Sequence, residues 1–387
     1  ILLVTSAGCG GGGGGGGGAA PIPPPGPPPA TSDTIVYGKN RDLAGNVAPV
    51  LTESAAGGAF DQAEVDSPCI AEDAGRVDRF LLFYEATDGA AVNRIGIVSS
   101  DEEDFATLTV GRTLAFPLGG PGSGYNFGAT DPTVVVDKRA AENPPNANRR
   151  YKMWFEGRSG VNGQTSTIIY CTSQNAVTWA NFTICTGLDP NFGFNELRVA
   201  DPSVLLDRDD NDTLKMWFEV VAPDGHGEIG YAESGNGVGW TIMDAAGNSG
   251  GAAGPVLTPG AAGGFDAFGV NAPSVILDES IPVGAAGRFL LWYEAGNTFP
   301  NTENTIGFAS SSNGLSWGRE TLPVLRPSSD LSIPLPFDSG DLEHPMALID
   351  PGLPATQDGH FRLWYTGDGE NGASPNRIGF ATGRTGP

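Results

Sequence analysis

The chain has 387 residues, and its 45 acidic against 21 basic side chains give a formal net charge of −24. A surface of that sign repels phosphate backbones and anionic headgroups, so nucleic acid is excluded as an expected partner. The 58 glycines and 31 prolines divide the chain into short apolar runs, none of them as long as a membrane-spanning helix. This composition favours one large all-β domain.

The first nine residues are an apolar run that ends in Ser-Ala-Gly-Cys. They resemble the end of a bacterial lipoprotein signal peptide, so residues 1–9 are expected to be a partial signal and Cys9 to be its lipidated residue. Because Gly10 rather than Asp follows the cysteine, the sorting rule implied by this resemblance favours the outer membrane. The alternative is a low-complexity leader with no anchoring role.

A glycine tract, Gly10–Gly18, is followed by a segment, Pro21–Pro29, that is nearly all proline. Glycine makes the first segment flexible, and proline stiffens the second into a polyproline II spacer. Residues 10–33 are therefore expected to tether a domain, residues 34–387, to a membrane. The protein is expected outside the cytoplasm, at the cell surface, and to contact the membrane only through its lipid anchor.

The domain contains five copies of one pattern of about seventy residues. Each copy has a residue-proline pair, then an aromatic run such as Lys152–Glu156, then a third run, which is Ile-Gly in four copies, as in Ile306–Ala309, and Thr167–Tyr170 in the second. The shared prolines are Pro68, Pro132, Pro202, Pro273 and Pro345, at spacings of 64, 70, 71 and 72 residues. This period predicts an all-β, five-bladed β-propeller with four antiparallel strands in each blade.

The outer strands suggest how the ring closes. A fourth strand is expected at the Pro-Val-Leu segments Pro255–Leu257 and Pro323–Leu325. The fifth copy has no such segment after Phe380, and an extra Pro-Val-Leu precedes the first copy. The N-terminal region is therefore predicted to supply the outer strand of the last blade, with Val47–Thr52 as that strand.

Two cysteines lie in successive predicted strands of the second blade. Directly opposed residues of antiparallel neighbours come close enough for a disulfide, so Cys171 and Cys185 are predicted to pair outside the cytoplasm. The alternative is two buried thiols. Cys69 then remains alone as a small buried apolar residue, and nothing in the sequence resembles a metal-thiolate site.

The innermost strands of a propeller open around the mouth of its central channel. Each is opened by the two residues before the shared proline, which are Asp66-Ser67, Thr130-Asp131, Ala200-Asp201, Asn271-Ala272 and Glu343-His344. Four of the five blades bring a carboxylate near one axis, and like charges crowded there raise some of the pKa values. Asp66, Asn271 and His344 are predicted to bind substrate.

Other acidic side chains receive structural interpretations. Four glutamates recur at one place in four blades, and a Phe-Asp pair recurs before the proline; both patterns are expected to serve the blade. They are Glu85, Glu156, Glu219 and Glu294, and Phe60-Asp61, Phe265-Asp266 and Phe337-Asp338, with Phe194-Asn195 in the same place. The acidic run Asp207–Asp212 resembles a calcium loop but lacks the glycine and the distal glutamate of an EF-hand, so a hairpin turn is expected. No metal site is predicted, and a calcium ion, or an axial ion on His344, is left open.

On motifs such as Asp131–Val134 and Lys152–Glu156, the chain resembles the five-bladed propeller glycosidases, among them the family 43 arabinanases and xylosidases and the invertase-like enzymes. The resemblance covers all five blades. It implies an Asp-Pro that supplies the general base, an Asp-Pro in the next blade that modulates pKa, and a Glu-x-Pro that supplies the acid. Such an inverting pair holds its carboxyls about 6.5–9.5 Å apart.

Neither register of this family pattern is complete. With Asp131 as base and Asp201 as modulator, the acid falls on Asn271, which cannot donate a proton. With Asp201 as base, the acid falls on Glu343, but the modulator falls on Ala272. We predict Asp201 and Glu343 as the catalytic pair, with Asp131 beside them; the alternative is that these aspartates bind backbone amides at the strand starts.

Two functions stay open on the sequence. The first is a cell-surface protein that binds or processes glycans, an inverting glycoside hydrolase if it is an enzyme. The second is a non-catalytic module that kept the glycosidase scaffold and binds a glycan or a protein. An oligo- or polysaccharide is the expected partner, and a monomer is the expected state.

Overall fold

The computed structural model describes residues 34–42, 45–137, 150–160, 163, 165–188, 198–222, 224–249, 254–296, 303–328, 336–369 and 375–386. Within these ranges, twenty strands form five four-stranded antiparallel sheets. This is the predicted five-bladed propeller. Cys9, the proposed tether and Phe194 lie outside the described residues. No helix in the described ranges has the length and hydropathy needed to cross a membrane.

Four blades are built from consecutive strands, numbered from the axis outwards. Blade one has β2 (Glu64–Glu72), β3 (Phe80–Thr87), β4 (Asn93–Ser100) and β5 (Val110–Leu114). Blade two has β6 (Gly128–Val136), β7 (Tyr151–Ser159), β8 (Thr165–Ser173) and β9 (Trp179–Ile184). Blade three has β10 (Arg198–Asp207), β11 (Thr213–Val221), β12 (Gly227–Ser234) and β13 (Thr241–Met243). Blade four has β14 (Gly269–Leu277), β15 (Phe289–Gly296), β16 (Asn304–Ser311) and β17 (Gly318–Arg319).

The fifth blade joins the two ends of the domain. It has β18 (Leu342–Ile349), β19 (Phe361–Gly367) and β20 (Arg377–Thr385), and its outer strand is β1 (Ile35–Lys39). β1 pairs with β20 from Ile35 opposite Thr385 to Lys39 opposite Ala381. The N-terminal region therefore supplies the outer strand, as predicted.

The prediction that Val47–Thr52 forms this outer strand was wrong. The backbone of Val47–Thr52 meets β20 only at Ile378, where Leu51 forms a bridge and the Val50 N–H donates to the Ile378 carbonyl. The other Pro-Val-Leu segments behave alike, since Leu257 bridges Ile229 and Leu325 bridges Ile306, while β13 and β17 are the fourth strands. Each segment crosses the third strand at a single residue, because it leads inward to the next blade rather than running along the edge.

Hydrophobic side chains pack between neighbouring blades, on both faces of each second strand. All eight residues of β15 are buried, which explains why such strands are continuous apolar runs. A tryptophan on the second strand donates its indole N–H to a backbone carbonyl of the following blade. These bonds are Trp154 to Gly237 (2.7 Å), Trp217 to Gly314 (2.8 Å) and Trp364 to Glu103 (3.1 Å). A Cβ on Gly237 would lie 2.8 Å from the Trp154 ring, so glycine is required there.

Three blades contain a buried aspartate that accepts hydrogen bonds from a tyrosine hydroxyl and from a cation; we call this arrangement the aspartate clasp. Its members are Asp61 with Tyr84 and Arg112, Asp266 with Tyr293 and Arg319, and Asp338 with Tyr365 and Lys39. The cation stands on the outer strand of the blade, so the clasp ties that strand to the loop before the inner one. This confirms the structural interpretation of the Phe-Asp pairs.

The predicted disulfide is absent. Among the described residues, Cys69, Cys171 and Cys185 are buried free thiols. The Cys185 N–H donates to the Ile168 carbonyl, three positions before Cys171, so the two thiols point to opposite faces of the sheet. Cys171 packs between blades one and two, whereas Cys185 packs between blades two and three.

The acidic run after β10 forms the hairpin turn to β11, as expected. Lys215 Nζ lies 2.6 Å from Asp210 Oδ2 and 3.8 Å from Asp207 Oδ2, and the Arg288 guanidinium pairs with Asp209. Basic side chains therefore balance the charge of this turn.

Candidate functional site

Every inner strand carries a bulge at its residue-proline pair. The register with the second strand shifts there in all five blades, for example between Asp66 and Cys69. The residue before the proline has a positive φ in each: Ser67 (46°), Asp131 (51°), Asp201 (46°), Ala272 (41°) and His344 (44°). Non-glycine residues rarely adopt this conformation, and proline has no N–H to lose from the ladder. The bulge turns five side chains towards the axis.

These five residues and their prolines line a central cavity of about 40 Å³. At about 10–15 Å³ for each water, this space holds a few waters and no sugar ring. A saccharide would therefore lie above the cavity, over the mouth that the bulges form.

His344 stands at the centre of the charged groups of the mouth. Its Nδ1 lies 3.0 Å from Asp66 Oδ1, and its Nε2 lies 3.5 Å from Asp201 Oδ1 and 3.9 Å from Asp131 Oδ1. Burial opposes the charged imidazole, but the carboxylates of Asp66 and Asp201 outweigh it and raise the pKa of His344 well above its usual value. The imidazolium is therefore the stable form at neutral pH.

Asp66 is held by several donors. Its Oδ2 accepts from Asn376 Nδ2 at 2.8 Å, and its Oδ1 accepts from the Ser67 N–H at 2.6 Å and from the Thr366 hydroxyl. Burial alone would raise its pKa, but His344 and these donors lower the pKa to about 2. Asp66 is an ionised partner of His344.

The pKa of Asp131 shifts in the opposite direction from that of Asp66. Burial, followed by the charges of Asp201 and Glu85, raises the pKa of Asp131 well above its usual value. Its Oδ1 accepts from the Ser67 hydroxyl at 2.7 Å. Like charges crowded in one buried site thus separate the two pKa values, with that of Asp131 raised and that of Asp201 lowered.

The pKa values of the predicted catalytic pair, Asp201 and Glu343, also differ in the direction of their shift. Burial disfavours an ionised Asp201, but His344 and Arg198 lower the pKa of Asp201 below its usual range. Burial and then the charge of Glu294 raise the pKa of Glu343 well above its usual value. The pKa values of Asp201 and Glu343 therefore shift in opposite directions, so Glu343 keeps its proton to higher pH than Asp201 does.

The fourth blade contributes no acid to the mouth from its inner strand. Asn271 Nδ2 donates to Glu294 Oε1 at 3.4 Å, and the Ala272 N–H donates to Glu219 Oε2 at 3.3 Å. The structure therefore leaves the family's modulator position without a carboxyl of its own.

A ring of glutamates surrounds the mouth, and the sequence interpretation assigned it to the blade alone. Glu85, Glu156, Glu219 and Glu294 stand on the second strands directly opposite Asp66, Thr130, Ala200 and Asn271, with Thr366 opposite Glu343 in blade five. Burial and Asp66 raise the pKa of Glu85 to about 8, and burial is also the main cause that raises the pKa of Glu294 to about 7. The recurrence of a glutamate at the same place in four blades was the feature of the sequence that could have indicated this ring.

Two overlapping groups at the mouth have cation-ligand geometry. They are Asp66, Glu343 and His344, and Asp131, Asp201 and His344, each with ligand atoms within 4.8 Å of one another. Calcium prefers about six to eight oxygen ligands. Each group supplies two carboxylates and one imidazole nitrogen, which is fewer oxygen ligands than calcium takes.

The likeness of this chain to known proteins lies in its fold. No family model and no curated protein matches it. Among solved structures, an α-L-arabinofuranosidase from Podospora anserina in complex with cellotriose superposes with a TM-score of 0.59 at 14% identity, covering 92% of this chain and 99% of the other. A thermostable family-43 glycoside hydrolase superposes with a TM-score of 0.53 at 16% identity, covering 86% and 91%. This chain has the propeller fold of glycoside hydrolases.

The same fold also carries other chemistry. An N-acetylgalactosamine deacetylase from F. plautii, in complex with blood group B trisaccharide, superposes with a TM-score of 0.57 at 16% identity, covering 87% of this chain and 94% of the other. At these identities the likeness concerns the fold, and the reaction has to be inferred from the mouth itself.

Proposed function

We propose that this chain processes glycans at the mouth of its propeller as an inverting glycoside hydrolase, with Asp201 as general base and Glu343 as general acid. The observation that supports this is the convergence of both residues on His344. Asp201 Oδ1 lies 3.5 Å from His344 Nε2, and the group Asp66, Glu343 and His344 lies within 4.8 Å. Two carboxyls at one mouth whose pKa values shift in opposite directions are the pattern that acid and base roles require.

In the proposed reaction, Asp201 removes a proton from a water that attacks the anomeric carbon. Glu343 gives its proton to the glycosidic oxygen as the bond from that oxygen to the anomeric carbon breaks. The products are a hemiacetal of inverted configuration and a free hydroxyl on the leaving sugar. The positive charge of His344 keeps Asp201 ionised, and Asn304 Nδ2, 3.2 Å from Glu343 Oε1, orients the acid. Asp66 and Asn271 are proposed to bind substrate hydroxyls.

The second candidate is a binding module without turnover. It is favoured by Ala272, which leaves the modulator position empty of a carboxyl, and by the internal partners that engage the polar groups of Asp66 and Asp131. In that case the mouth would hold a glycan, or a protein partner, and no bond would break.

One experiment separates the candidates. Wild type, Asp201→Asn and Glu343→Gln are tested side by side for glycan-array binding and for reducing-end release, with Asp101→Asn on an exposed loop as the matched control. The hydrolase proposal predicts hydrolysis by wild type and by the control, with losses of about 10²-fold or more in both mouth variants, and binding retained. Hydrolysis that survives both substitutions refutes the assigned pair, and binding without turnover by wild type favours the module.

We further propose that the protein is an outer-membrane or cell-surface lipoprotein, anchored through Cys9 and monomeric. The apolar residues before Cys9 and the glycine- and proline-rich segment after it support this. The test is expression with Cys9→Ser in a Gram-negative host. The variant should move from the membrane to the soluble extracytoplasmic fraction and lose acyl labelling, and light scattering of detergent-free protein should give one chain per particle. An unchanged fractionation would refute the anchor.

A further inference from the structure

A second position recurs above the mouth, four residues before the residue that precedes each proline; we call it the rim position. In four blades its backbone N–H donates to a carbonyl at or just beyond the end of the second strand. The bonds are Ala63 to Thr87 (2.9 Å), Phe127 to Arg158 (2.9 Å), Phe268 to Gly296 (2.9 Å) and Gly340 to Asp368 (3.0 Å). The fold therefore places one residue of each of these blades at the same height on the rim.

The rim residue of blade two is exceptional. Phe127 is 47% exposed, and it is the only aromatic side chain among the exposed large hydrophobic residues of the described ranges. Burying a phenylalanine is worth about 1.5–3 kcal/mol, so an exposed ring forgoes stability that nearly every other described aromatic in this protein contributes. Its counterpart Phe268 is only partly exposed, and the rim residues of blades one and five are small.

Arg158 is a neighbour of Phe127, since a Cβ at Gly163 would lie 3.4 Å from the Phe127 Cβ and 3.9 Å from the Arg158 Cβ. Arg158, whose carbonyl binds the Phe127 N–H, keeps its side chain partly exposed, and its Nε lies 3.2 Å from Glu156 Oε1. In the adjoining hairpin, glycine at position 163 lets the chain approach the ring closely. A sugar ring offers C–H groups on one face and hydroxyls at its edge, so a phenylalanine ring and an arginine on neighbouring positions can bind it together.

We propose that Phe127 and Arg158 form a carbohydrate subsite for a non-reacting sugar residue, with the ring stacking on Phe127 and a hydroxyl accepting from Arg158. This rests on the proposed function of the mouth, whose Asp131 lies four residues further along the chain, in β6, which begins directly after Phe127. At ~3.3 Å per residue the two positions are about 13 Å apart, a distance that an oligosaccharide spans and a monosaccharide does not. The preferred ligand is therefore an oligosaccharide.

The subsite predicts a dependence on chain length. The probes are xylose with xylobiose to xylohexaose, and the matching arabinose series, titrated by calorimetry on the full chain. Phe127→Ala should weaken the longest bound oligosaccharide about tenfold and leave the shortest bound sugar unchanged, whereas Phe127→Trp should retain the wild-type affinity. Val77→Ala, an exposed apolar residue on another hairpin, is the control and should change nothing.

The other possible results of the titrations test the subsite as follows. Wild-type binding that Phe127→Ala does not weaken, or weakens equally for short and long sugars, refutes the subsite and leaves the proposed function standing. Absence of wild-type binding to every member of both series refutes this inference, whereas the proposed function is decided separately by the glycan array and the hydrolysis assay. Should Phe127→Ala fail to fold, the emission of Phe127→Trp, compared with wild type, decides: a blue shift with the hexasaccharide supports the subsite, and no shift refutes it.

Discussion

The closing strand offers a direct test of how the ring is held together. In blade five, Lys39 of β1 donates to the fully buried Asp338 at 2.6 Å, and also to the Arg326 carbonyl at 2.7 Å and the Ser328 hydroxyl at 3.1 Å. Lys39→Met keeps most of the aliphatic stem and removes the charge. It leaves the Asp338 carboxylate buried with only the Tyr365 hydroxyl as a donor.

The expected loss follows from burial. The lysine side chain is 11% exposed and the aspartate 0%, so the pair is a buried one. Removing one partner of such a pair costs about 3–5 kcal/mol because the other charge stays unpaired. The equivalent change in blade four, Arg319→Met, should cost less, since that guanidinium is 27% exposed and water can take its place.

Urea unfolding of the two variants measures this order. Arg384→Met, an exposed cation on β20 opposite Val36, is the control and should stay within about 0.5 kcal/mol of wild type. The double variant Lys39→Met with Asp338→Asn should recover part of the lost stability. The asparagine amide has no charge that would stay buried without a partner. If Lys39→Met is as stable as the Arg384→Met control, the aspartate clasp of blade five does not stabilise the closed ring.

Three further outcomes are expected. Deletion of residues 1–53 removes β1 and the Leu51 bridge, so it should lower the melting midpoint and broaden the transition; an unchanged melt would contradict closure by this region. The raised pKa of Glu85, about 8 against 4.5, means that the folded chain holds a proton that the unfolded chain releases, so wild type loses stability as pH rises from 4.5 through 8. Glu85→Gln should therefore gain stability over wild type at pH 9 but not at pH 4, and equal pH profiles would contradict this. Cys69, Cys171 and Cys185 should react with a thiol reagent after unfolding without reductant, and slowly before it; a disulfide found by mass spectrometry would contradict the packing.

The repeat could be read from the sequence because each blade repeats the same physical requirements. A proline that needs no ladder hydrogen bond, an aromatic run buried on both faces and an Ile-Gly strand recur at one period, which fixes the number of blades. The mouth residues follow from the same period, since they precede the prolines. What the period could not reveal is which of two N-terminal segments forms the outer strand, because both β1 and Val47–Thr52 are short and apolar.

Tertiary contacts decided that choice. Lys39 occupies in blade five the place that Arg112 and Arg319 occupy in blades one and four, a correspondence that appears only once Asp338 and Tyr365 are seen together. The cysteines were misjudged for a related reason. Their hairpin is real, but an odd offset in register turns Cys185 to the opposite face from Cys171.

For the site, the sequence by itself determined which carboxyls and which imidazole reach the axis. Only the tertiary structure decided their protonation, because pKa values depend on burial and on the charges that the ring brings together from different blades. His344 arrives from blade five between Asp66 and Asp201 and lowers the pKa of both, whereas burial and Glu294 raise the pKa of Glu343. The five-fold repeat placed these groups at one mouth, and the departures from five-fold symmetry gave them different chemistry.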